Sequence, residues 1–239
     1  VLELLSKIQN ELNLKNYLID LDKDQNFLQN INKNIQKNNI FKKRSFDSIF
    51  EFSVYRNFIY SLIRNKKPKI IVETGVLHGL TSAWILKALK DNGGGKLISI
   101  DLPRRDWVEY FGSKPFGPGG DVEFEIKEQK VGWAIPEDLL KFWKLYLGPS
   151  SYFLKEVISK NQDIDLFIHD SDHSYEVMKF ECDLVQNKLN NIDMIIDDYY
   201  CNDYYKDFSK DYNRDFFLID DVTDDLEQVE GCVFFPKKK

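Results

Sequence analysis

The sequence predicts an α/β fold in which a mostly parallel sheet is covered by helices on both faces. From Lys69 onward, short apolar runs alternate with stretches that have helical periodicity. The apolar runs are continuous rather than alternating with polar residues, which is typical of strands buried on both faces. Strands of this kind that alternate with helices form a parallel sheet between two helical layers.

Length and composition narrow the class of protein. The chain has 239 residues, of which 43% are hydrophobic and 30% charged, with a net charge of −6. A chain of this size builds a self-supporting core. Its net negative charge argues against a general nucleic-acid-binding surface. No apolar run approaches the roughly 18–20 residues that span a bilayer, and the first residues do not predict a signal peptide. Three cysteines without a CxxC pair predict a reduced, cytoplasmic setting and no structural zinc site.

Residues 1–64 are predicted to form a helical extension in front of the sheet. Four apolar residues near the start fall at helical spacing, namely Leu2, Leu5, Ile8 and Leu12. The segment 30–39 is polar and nearly of low complexity, which predicts a loose connection. Asp47 is the expected N-cap of a helix that runs to residue 64, and Pro68 ends it. The sequence leaves the structure of residues 26–44 open.

The remaining residues, 65–239, are predicted to form the sheet domain. The expected strands cover residues 69–73, 96–101, 164–170, 192–197, 216–220 and 232–235. The expected helices cover residues 78–90, 136–146 and 174–189. The segment 102–135 is rich in aromatic residues and contains the run GPGG. A connection this long is either a functional lid or a disordered excursion, and its aromatic residues favour a lid over the edge of the sheet.

Acidic residues end four of the predicted strands. They are Glu73, Asp101, Asp170 and the pair Asp197 and Asp198. In open parallel sheets, ligands bind beyond the carboxyl ends of the strands. We therefore expect these carboxylates to meet at one edge and to form the functional site.

The segment ETGVLHG (73–79) joins the first strand to its helix. Its glycines allow a tight turn and a close approach to a ligand, but their spacing does not match the dinucleotide fingerprint. An acid beside such a loop suits a ligand that carries an ammonium group and a nucleoside, unless the loop is only a strand-to-helix turn. Asp101 follows at the spacing of one βαβ unit and is either a ribose-binding carboxylate or a solvated strand end.

Five segments, in their order along the chain, resemble the class I S-adenosylmethionine-dependent methyltransferases. Within this class, they resemble the small-molecule family that includes macrocin-type sugar O-methyltransferases. They are VETGVLHGLTSAWILKAL, LISIDLP, VGWAIPEDLLKFWKLYLG, DLFIHDSDHSYEVMKFECDL and MIIDDYY. The resemblance covers residues 54–208. It implies a Rossmann-like sheet of seven strands, mostly parallel with the last strand antiparallel. It also implies S-adenosylmethionine as the methyl donor.

The resemblance further implies roles for individual residues. Glu73, Gly75 and Gly79 would hold the methionine portion of the donor, and Asp101 would hold its ribose. His78 stands where family members often have a small residue. We count His78 and also Asp170 among the residues that line the cofactor site.

Asp170, Asp197 and Asp198 match the positions that bind magnesium in metal-dependent relatives. Carboxylate oxygens suit Mg²⁺, which would lower the pKa of an acceptor hydroxyl and hold it in line with the methyl group. The alternative is that Asp197 and Asp198 cap a helix and are hydrated.

Two histidines lie in the same segment. His173 is either a general base for the hydroxyl proton or a partner of the helix end or of a neighbouring carboxylate. The catalytic candidates are thus Asp170, His173 and Asp197. His169 is expected to face the opposite side of the sheet and to have a packing role. Four tyrosines follow the acidic pair and either line an acceptor pocket or form a surface helix, namely Tyr199, Tyr200, Tyr204 and Tyr205.

The sequence therefore predicts a Mg²⁺-assisted methyltransferase that acts on a hydroxyl of a small molecule, such as a sugar or a natural product. One alternative is a metal-independent methyltransferase that uses His173 as base. The other is a non-catalytic module that binds S-adenosylmethionine or a nucleotide. We expect no nucleic-acid or membrane partner, and the N-terminal helices offer a surface for a homodimer.

Overall fold

A computed structural model describes residues 2–38, 45–102, 130–222 and 229–238. Its strands are β1 (Ile70–Thr74), β2 (Lys96–Asp101), β3 (Trp143–Leu147), β4 (Leu166–His169), β5 (Asp193–Asp197), β6 (Phe217–Val222) and β7 (Val229–Phe235). Within these residues they form one seven-stranded sheet in the order β3-β2-β1-β4-β5-β7-β6. Strands β1 to β5 pair in parallel, whereas β7 runs antiparallel to both β5 and β6. The predicted fold, including the antiparallel last strand, is confirmed.

Helices cover both faces of the sheet. They are α1 (Leu2–Glu11), α2 (Leu18–Asp22), α3 (Gln25–Asn38), α4 (Val54–Lys66), α5 (Leu80–Asp91), α6 (Ser150–Lys160), α7 (Tyr175–Leu189) and α8 (Tyr204–Tyr212). Helices α1 to α5 pack in one apolar cluster with Ile71 of β1, and α6 to α8 pack in a second cluster with Val72. Adjacent strand residues point to opposite faces, so β1 contributes to both clusters. Each such buried side chain contributes roughly 1.5–3 kcal/mol.

The N-terminal helices share the core of the sheet domain. Helix α4 packs against α5 and also contacts β6 and β7. The Nε1 of Trp84 in α5 donates a hydrogen bond to Asn57 Oδ1 in α4 at 3.2 Å. The division of the chain at residue 64 stays a prediction. No helix in the described ranges combines the length and the hydrophobicity of a membrane-spanning segment.

The predicted loose connection at 30–39 is wrong, because most of it belongs to α3. Ile31 and Ile35 are fully buried, four residues apart on one face of the helix. The Nδ2 of Asn34 donates to the carbonyl oxygen of Ala134 at 3.0 Å. Low complexity was misleading here, because the repeated asparagines and lysines occupy mainly the face turned away from the apolar core.

The predicted N-cap at Asp47 is also wrong. A short 3₁₀ turn at Ile49–Glu51 comes first, capped by Ser48. Helix α4 begins later, and its cap is Ser53, whose Oγ accepts a hydrogen bond from the backbone N–H of Arg56 at 3.3 Å. The helix ends before Pro68 as expected, with Lys67 in the left-handed conformation.

The predicted helix at 136–146 is wrong as well. Residues Glu137–Phe142 form a 3₁₀ helix, and the chain then enters β3 at the edge of the sheet. An edge strand is only partly buried, so β3 lacks the continuous apolar run of the central strands. Helix α6, which buries Leu154, Val157 and Ile158, was not among the predicted elements.

Candidate functional site

Four parallel strands lie side by side in the order β2-β1-β4-β5. Their carboxyl ends therefore share one edge of the sheet, here called the rim. Asp101, Gly75, Asp170 and Asp197 stand at the four strand ends in this order. The backbone N–H of Asp170 donates to the carbonyl oxygen of Thr74 at 2.8 Å, which ties the ends of β4 and β1 together. The structure thus brings together the predicted site residues of separate segments.

The glycine loop, residues 75–79, requires glycine at both ends. Gly75 has a φ of +82°, and a Cβ built there would lie 1.7 Å from the carbonyl oxygen of Asp170. Gly79 has a φ of +83° and is the N-cap of α5. A Cβ at Gly79 would lie 2.8 Å from the Cα of Gly132. The loop is therefore packed between the end of β4 and the segment that enters β3, where side chains do not fit.

Asp101 holds this loop through its backbone. Its Oδ2 accepts hydrogen bonds from the N–H groups of Val76 at 2.7 Å and Leu77 at 3.0 Å. The residue is 9% exposed, and burial raises its pKa although both amide bonds oppose this. The sequence predicted a carboxylate for ribose at this place, and the structure adds a role in supporting the glycine loop.

Residues 130–135 seal the loop from the other side. The N–H of Gly132 donates to the carbonyl oxygen of Leu77 at 2.9 Å, and the N–H of Ala134 donates to that of His78 at 2.8 Å. The predicted lid spans 102–135, and most of it, residues 103–129, lies outside the described residues. Trp133 faces His78 edge-on, with the ring centroids 6.1 Å apart.

Glu73 lies beneath the loop rather than on the rim. Its side chain is fully buried, and Oε2 accepts hydrogen bonds from Ser82 Oγ at 2.8 Å and Ser99 Oγ at 2.7 Å. Its Oε1 is buried without a hydrogen-bond partner among the described residues. Burial raises the pKa of Glu73 to about 7, although both serine bonds favour the charged form.

The start of α4 contributes residues that the sequence did not indicate. Burial, followed by the charge of Arg56, lowers the pKa of His78 to about 3, so this imidazole is neutral. The charge of Arg56 also lowers the pKa of Asp170, although burial outweighs this effect. The Nη1 of Arg56 donates to Ser53 Oγ at 3.0 Å, while its Nε is buried and has no partner in the described part of the chain. Tyr55 is buried, and the charges of Asp170 and Asp197 add to burial in raising its pKa.

The second half of the rim is acidic. Asp170 and Asp197 share a side-chain hydrogen bond, and burial raises the pKa of both carboxyls well above the usual value. Mutual repulsion with neighbouring carboxylates adds to this effect. Two carboxyl groups that are this close share a proton unless a bound cation takes the place of that proton.

His173 connects the acidic residues. Its Nδ1 lies 3.1 Å from Asp198 Oδ2, and its Nε2 lies 3.8 Å from Asp170 Oδ1. Burial disfavours the charged imidazole, but the hydrogen bond and charge of Asp198 outweigh it and raise the pKa of His173. The same pairing lowers the pKa of Asp198 against the effect of burial. Tyr200 donates its hydroxyl to Asp198 Oδ1 at 2.9 Å.

Ligand atoms from two overlapping groups lie close enough to hold a cation. In the first group, the ligand atoms of Asp170, His173 and Asp197 all lie within 4.8 Å of one another. The second group, which meets the same limit, consists of His173, Asp198 and Cys201. The predicted metal ligands Asp170 and Asp197 therefore lie together, whereas Asp198 is paired with His173.

A buried glutamate braces this half of the rim from below. Glu181 of α7 is fully buried, and its Oε2 lies 2.7 Å from Nδ1 of His169. It also accepts hydrogen bonds from the hydroxyls of Thr74 and Ser171. Burial raises the pKa of Glu181, but the charge of His169 outweighs it and lowers the value. His169 was predicted to have a packing role, and it is buried, but its ring pairs with Glu181, which no sequence signal indicated.

The tyrosines after the acidic pair divide into two groups. Tyr204 and Tyr205 are buried in α8, which agrees with the helix alternative. Tyr199 and Tyr200 lie in a 3₁₀ turn that follows Asp198 directly. Tyr200 is 48% exposed beside the rim.

Comparison with protein families supports the resemblance. Residues 72–199, which are more than half of the chain, match the model of a methyltransferase domain family. The matched segment begins in β1 and ends just after the acidic pair, so it contains both halves of the rim. No curated protein matches the sequence of this chain.

Solved structures share the fold. A Klebsiella pneumoniae protein described as an O-methyltransferase has a TM-score of 0.60 at 14% identity, covering 98% of this chain and 97% of that chain. The O-methyltransferase TomG from Streptomyces achromogenes, in complex with SAM, has a TM-score of 0.58 at 12% identity, covering 92% of each chain. An O-methyltransferase from Bacillus cereus, in complex with SAH, has a TM-score of 0.56 at 13% identity, covering 88% of this chain and 91% of that chain.

Proposed function

This chain belongs to the methyltransferase domain family, and we propose that it transfers a methyl group from S-adenosylmethionine to a hydroxyl of a small molecule. One observation carries the proposal. The glycine loop, whose backbone amides donate to Asp101, lies directly beside a pair of partly buried acids at the same rim. A donor site and a site that activates a hydroxyl are the two parts that such a transfer requires. The shared fold with TomG, which was solved with SAM, supports the choice of donor.

The donor site would be formed mainly by the glycine loop. Gly75 and Gly79 give the loop the tight turn that would surround the methionine portion, and the Oδ1 of Asp101 is the atom we assign to the ribose hydroxyls. His78 lines the loop as a neutral imidazole. The buried Nε of Arg56 is available for the carboxylate of the donor. Glu73 lies beneath the loop and would stabilise the positive charge of the donor. Because its pKa is about 7, a cation above it would favour the ionised carboxylate. S-adenosylmethionine supplies a methyl group already activated on a sulfonium, so the protein contributes chiefly alignment.

A divalent cation, Mg²⁺ in the simplest form of this proposal, fits the acidic half. Asp170 and Asp197 present carboxylate oxygens there, and His173 Nε2 is a buried nitrogen without a partner among the described residues. Such a cation would lower the pKa of an acceptor hydroxyl and fix its position. The acceptor would be a small hydroxylated molecule, such as a sugar or a natural product, that reaches the rim beside Tyr200.

A metal-independent mechanism is the competing version of the same function. The contact between His173 Nδ1 and Asp198 Oδ2 favours it, because a carboxylate that orients an imidazole and raises its pKa makes it a better base. In this version Asp170 and Asp197 only solvate the rim.

Two measurements test the proposal. Calorimetry with S-adenosylmethionine and S-adenosylhomocysteine should show saturable binding that Asp101→Asn weakens and the exposed control Asp163→Asn leaves unchanged. A radiolabelled methyl-transfer assay against a panel of sugars and phenols should show turnover that EDTA abolishes and added cation restores. Turnover that survives EDTA would support the His173 mechanism instead. Donor binding without transfer to any acceptor would indicate a non-catalytic module, and no donor binding would refute the proposal.

A further inference from the structure

We propose that Trp143 and Ser99 are positioning residues for the methyl donor, and that they act through Glu73. This inference deepens the proposed function and rests on its donor site. Trp143 is the first residue of β3, which runs parallel to β2, so it lies at the end of that strand opposite to the rim. Its effect on a ligand therefore has to pass through the residues between them.

A chain of hydrogen bonds connects Trp143 to Glu73. The Nε1 of Trp143 donates to Ser99 Oγ at 2.8 Å, and Ser99 Oγ donates to Glu73 Oε2 at 2.7 Å. Ser82 Oγ donates to the same oxygen at 2.8 Å. Ser99 and Glu73 are neighbours in register on β2 and β1, and both are fully buried. Bulk water therefore does not compete for these bonds.

The chemistry of the groups fixes the direction of this chain. An indole N–H is only a donor, whereas a hydroxyl has one proton to donate and lone pairs that accept. Because Ser99 accepts from Trp143, its own proton is directed to Glu73 Oε2. With the second bond from Ser82, Oε2 is held in place as an acceptor. The orientation of the whole carboxyl group follows from this, since the two oxygens are in one plane.

The other oxygen of Glu73 is left for a ligand. Oε1 is buried and has no hydrogen-bond partner among the described residues, and such an atom calls for an explanation. Glu73 lies directly before Thr74 and Gly75, beneath the loop that would surround the methionine portion of the donor. The α-ammonium group of that portion is a cation with three N–H donors. Oε1 is therefore the acceptor for this ammonium, held in position by Ser82, Ser99 and Trp143.

A role in packing is the alternative for Trp143. A Cβ at Gly132 would lie 2.3 Å from Cη2 of Trp143, so the indole ring also supports the segment 130–135 that seals the glycine loop. Loss of this support would weaken every ligand of the loop. Loss of the hydrogen-bond chain would weaken only ligands that carry the ammonium group, so the choice of ligand separates the two roles.

The experiment measures binding to the full chain by calorimetry with three probes. They are S-adenosylmethionine, S-adenosylhomocysteine and methylthioadenosine, of which the last lacks the amino-acid part. Ser99→Ala should weaken binding of the first two about tenfold and that of methylthioadenosine less than about threefold. Trp143→Phe should show the same selectivity with a loss of about threefold to fivefold, because it acts one bond further away. Ser99→Thr keeps the hydroxyl and should stay within about twofold of the wild type for all three probes.

Two matched variants remove buried hydrogen bonds elsewhere in the protein. Ser61→Ala loses a bond from the side chain of Gln9, and Trp84→Phe loses the bond from its indole to Asn57. Both variants should keep the wild-type ratio of the affinities for S-adenosylhomocysteine and methylthioadenosine, even where their stability falls.

Three results would overturn the inference. Equal losses for S-adenosylhomocysteine and methylthioadenosine in Trp143→Phe would show that Trp143 acts through packing. Unchanged affinity for S-adenosylhomocysteine in Ser99→Ala would show that the chain does not act on the donor. A loss confined to S-adenosylmethionine would assign Glu73 to the sulfonium instead of the ammonium.

Trp143→Phe decides the question alone if Ser99→Ala does not fold, because it leaves both serine bonds to Glu73 in place. If the wild-type protein binds neither S-adenosylmethionine nor S-adenosylhomocysteine, the donor site of the proposed function fails together with this inference. The three results above would refute the inference while the wild-type protein still binds the donor, so the two failures are distinguishable.

Discussion

The two halves of the rim are built in different ways. In the donor half, backbone groups are paired within the fold, for example the N–H of Gly75 with the carbonyl oxygen of Ile100 at 2.9 Å. The carboxylate of Asp101 is bonded to backbone amides there. In the acidic half, Asp170 and Asp197 are partly buried carboxyls in contact with each other, and His173 Nε2 has no partner among the described residues.

The donor half therefore depends mainly on its shape, and the acidic half depends mainly on its charges. The donor half has its form before any ligand arrives, because steric contact and backbone hydrogen bonds fix the loop. The acidic half carries an electrostatic cost in the free protein, and a bound cation would offset that cost. Changes in the donor half should therefore act mainly through packing, and changes in the acidic half mainly through affinity and pH.

The largest effect is expected from Gly75→Ala. The new methyl group would meet the carbonyl oxygen of Asp170 at a φ of +82°, so both steric collision and backbone strain oppose it. We expect the free energy of unfolding to fall by about 4 kcal/mol and donor binding to be lost. Urea unfolding and calorimetry with S-adenosylmethionine measure the two quantities.

Gly93→Ala is the matched control. Gly93 has a similar φ of +87°, but a Cβ there would meet no atom within 4 Å. Only backbone strain remains, so we expect a loss of about 1 kcal/mol and unchanged donor binding. Equal losses in the two variants would show that strain, and not the close approach to Asp170, makes glycine necessary at 75.

The next largest effect concerns the pH dependence of Glu73. Its pKa in the folded protein is about 7, against 4.5 ordinarily, so the folded state binds the proton more tightly than the unfolded state. Stability should therefore fall as the pH rises from about 4.5 to about 7, by about 3 kcal/mol at most. Glu73→Gln removes this titration, and its stability should lose that part of the pH dependence.

Urea unfolding at several pH values between 4 and 8 checks this prediction. Glu137→Gln, at an exposed site, is the control and should keep the wild-type slope. A wild-type slope in Glu73→Gln would mean that the buried carboxyl does not carry the proton.

The fold could be predicted because its central elements have local signals. Ile71 and Val72 belong to a continuous apolar run, and Gly75 marks the turn that follows it. Strand β3 and helix α3 could not be recognised, because an edge strand has only half-buried side chains and the polar face of α3 resembles low-complexity sequence. In both cases burial depends on neighbours that are distant in the chain.

The same limit applies to the site. Asp101, Asp170 and Asp197 could be predicted because strand ends in a parallel sheet meet at one edge. Arg56 and Glu181 had no such signal. The first approaches the rim only because α4 packs beside it, and the second only because α7 lies under β4.

The smallest effect is expected from Tyr200→Phe, at the outer layer of the acidic half. The Tyr200 hydroxyl donates to Asp198 Oδ1 and so steadies the carboxylate that orients His173. Its pKa is raised by burial and by the charge of Asp198, so the hydroxyl remains a donor throughout the neutral range. We expect the affinity for a divalent cation, measured with Mn²⁺ as the probe, to fall about threefold, because the contact between Asp198 and His173 is weakened while Asp170 and Asp197 are unchanged.

The neighbouring Tyr199→Phe is the matched control, since its hydroxyl donates to Asp220 rather than to Asp198. Titration with Mn²⁺ monitored by EPR compares the two variants under identical conditions. If both variants lose affinity equally, the effect comes from the packing of the turn after β5. If only Tyr200→Phe weakens binding, the hydrogen bond from Tyr200 to Asp198 affects cation affinity by orienting side chains of the acidic half. This result would agree with the contrast to the donor half, whose form is fixed by steric contact.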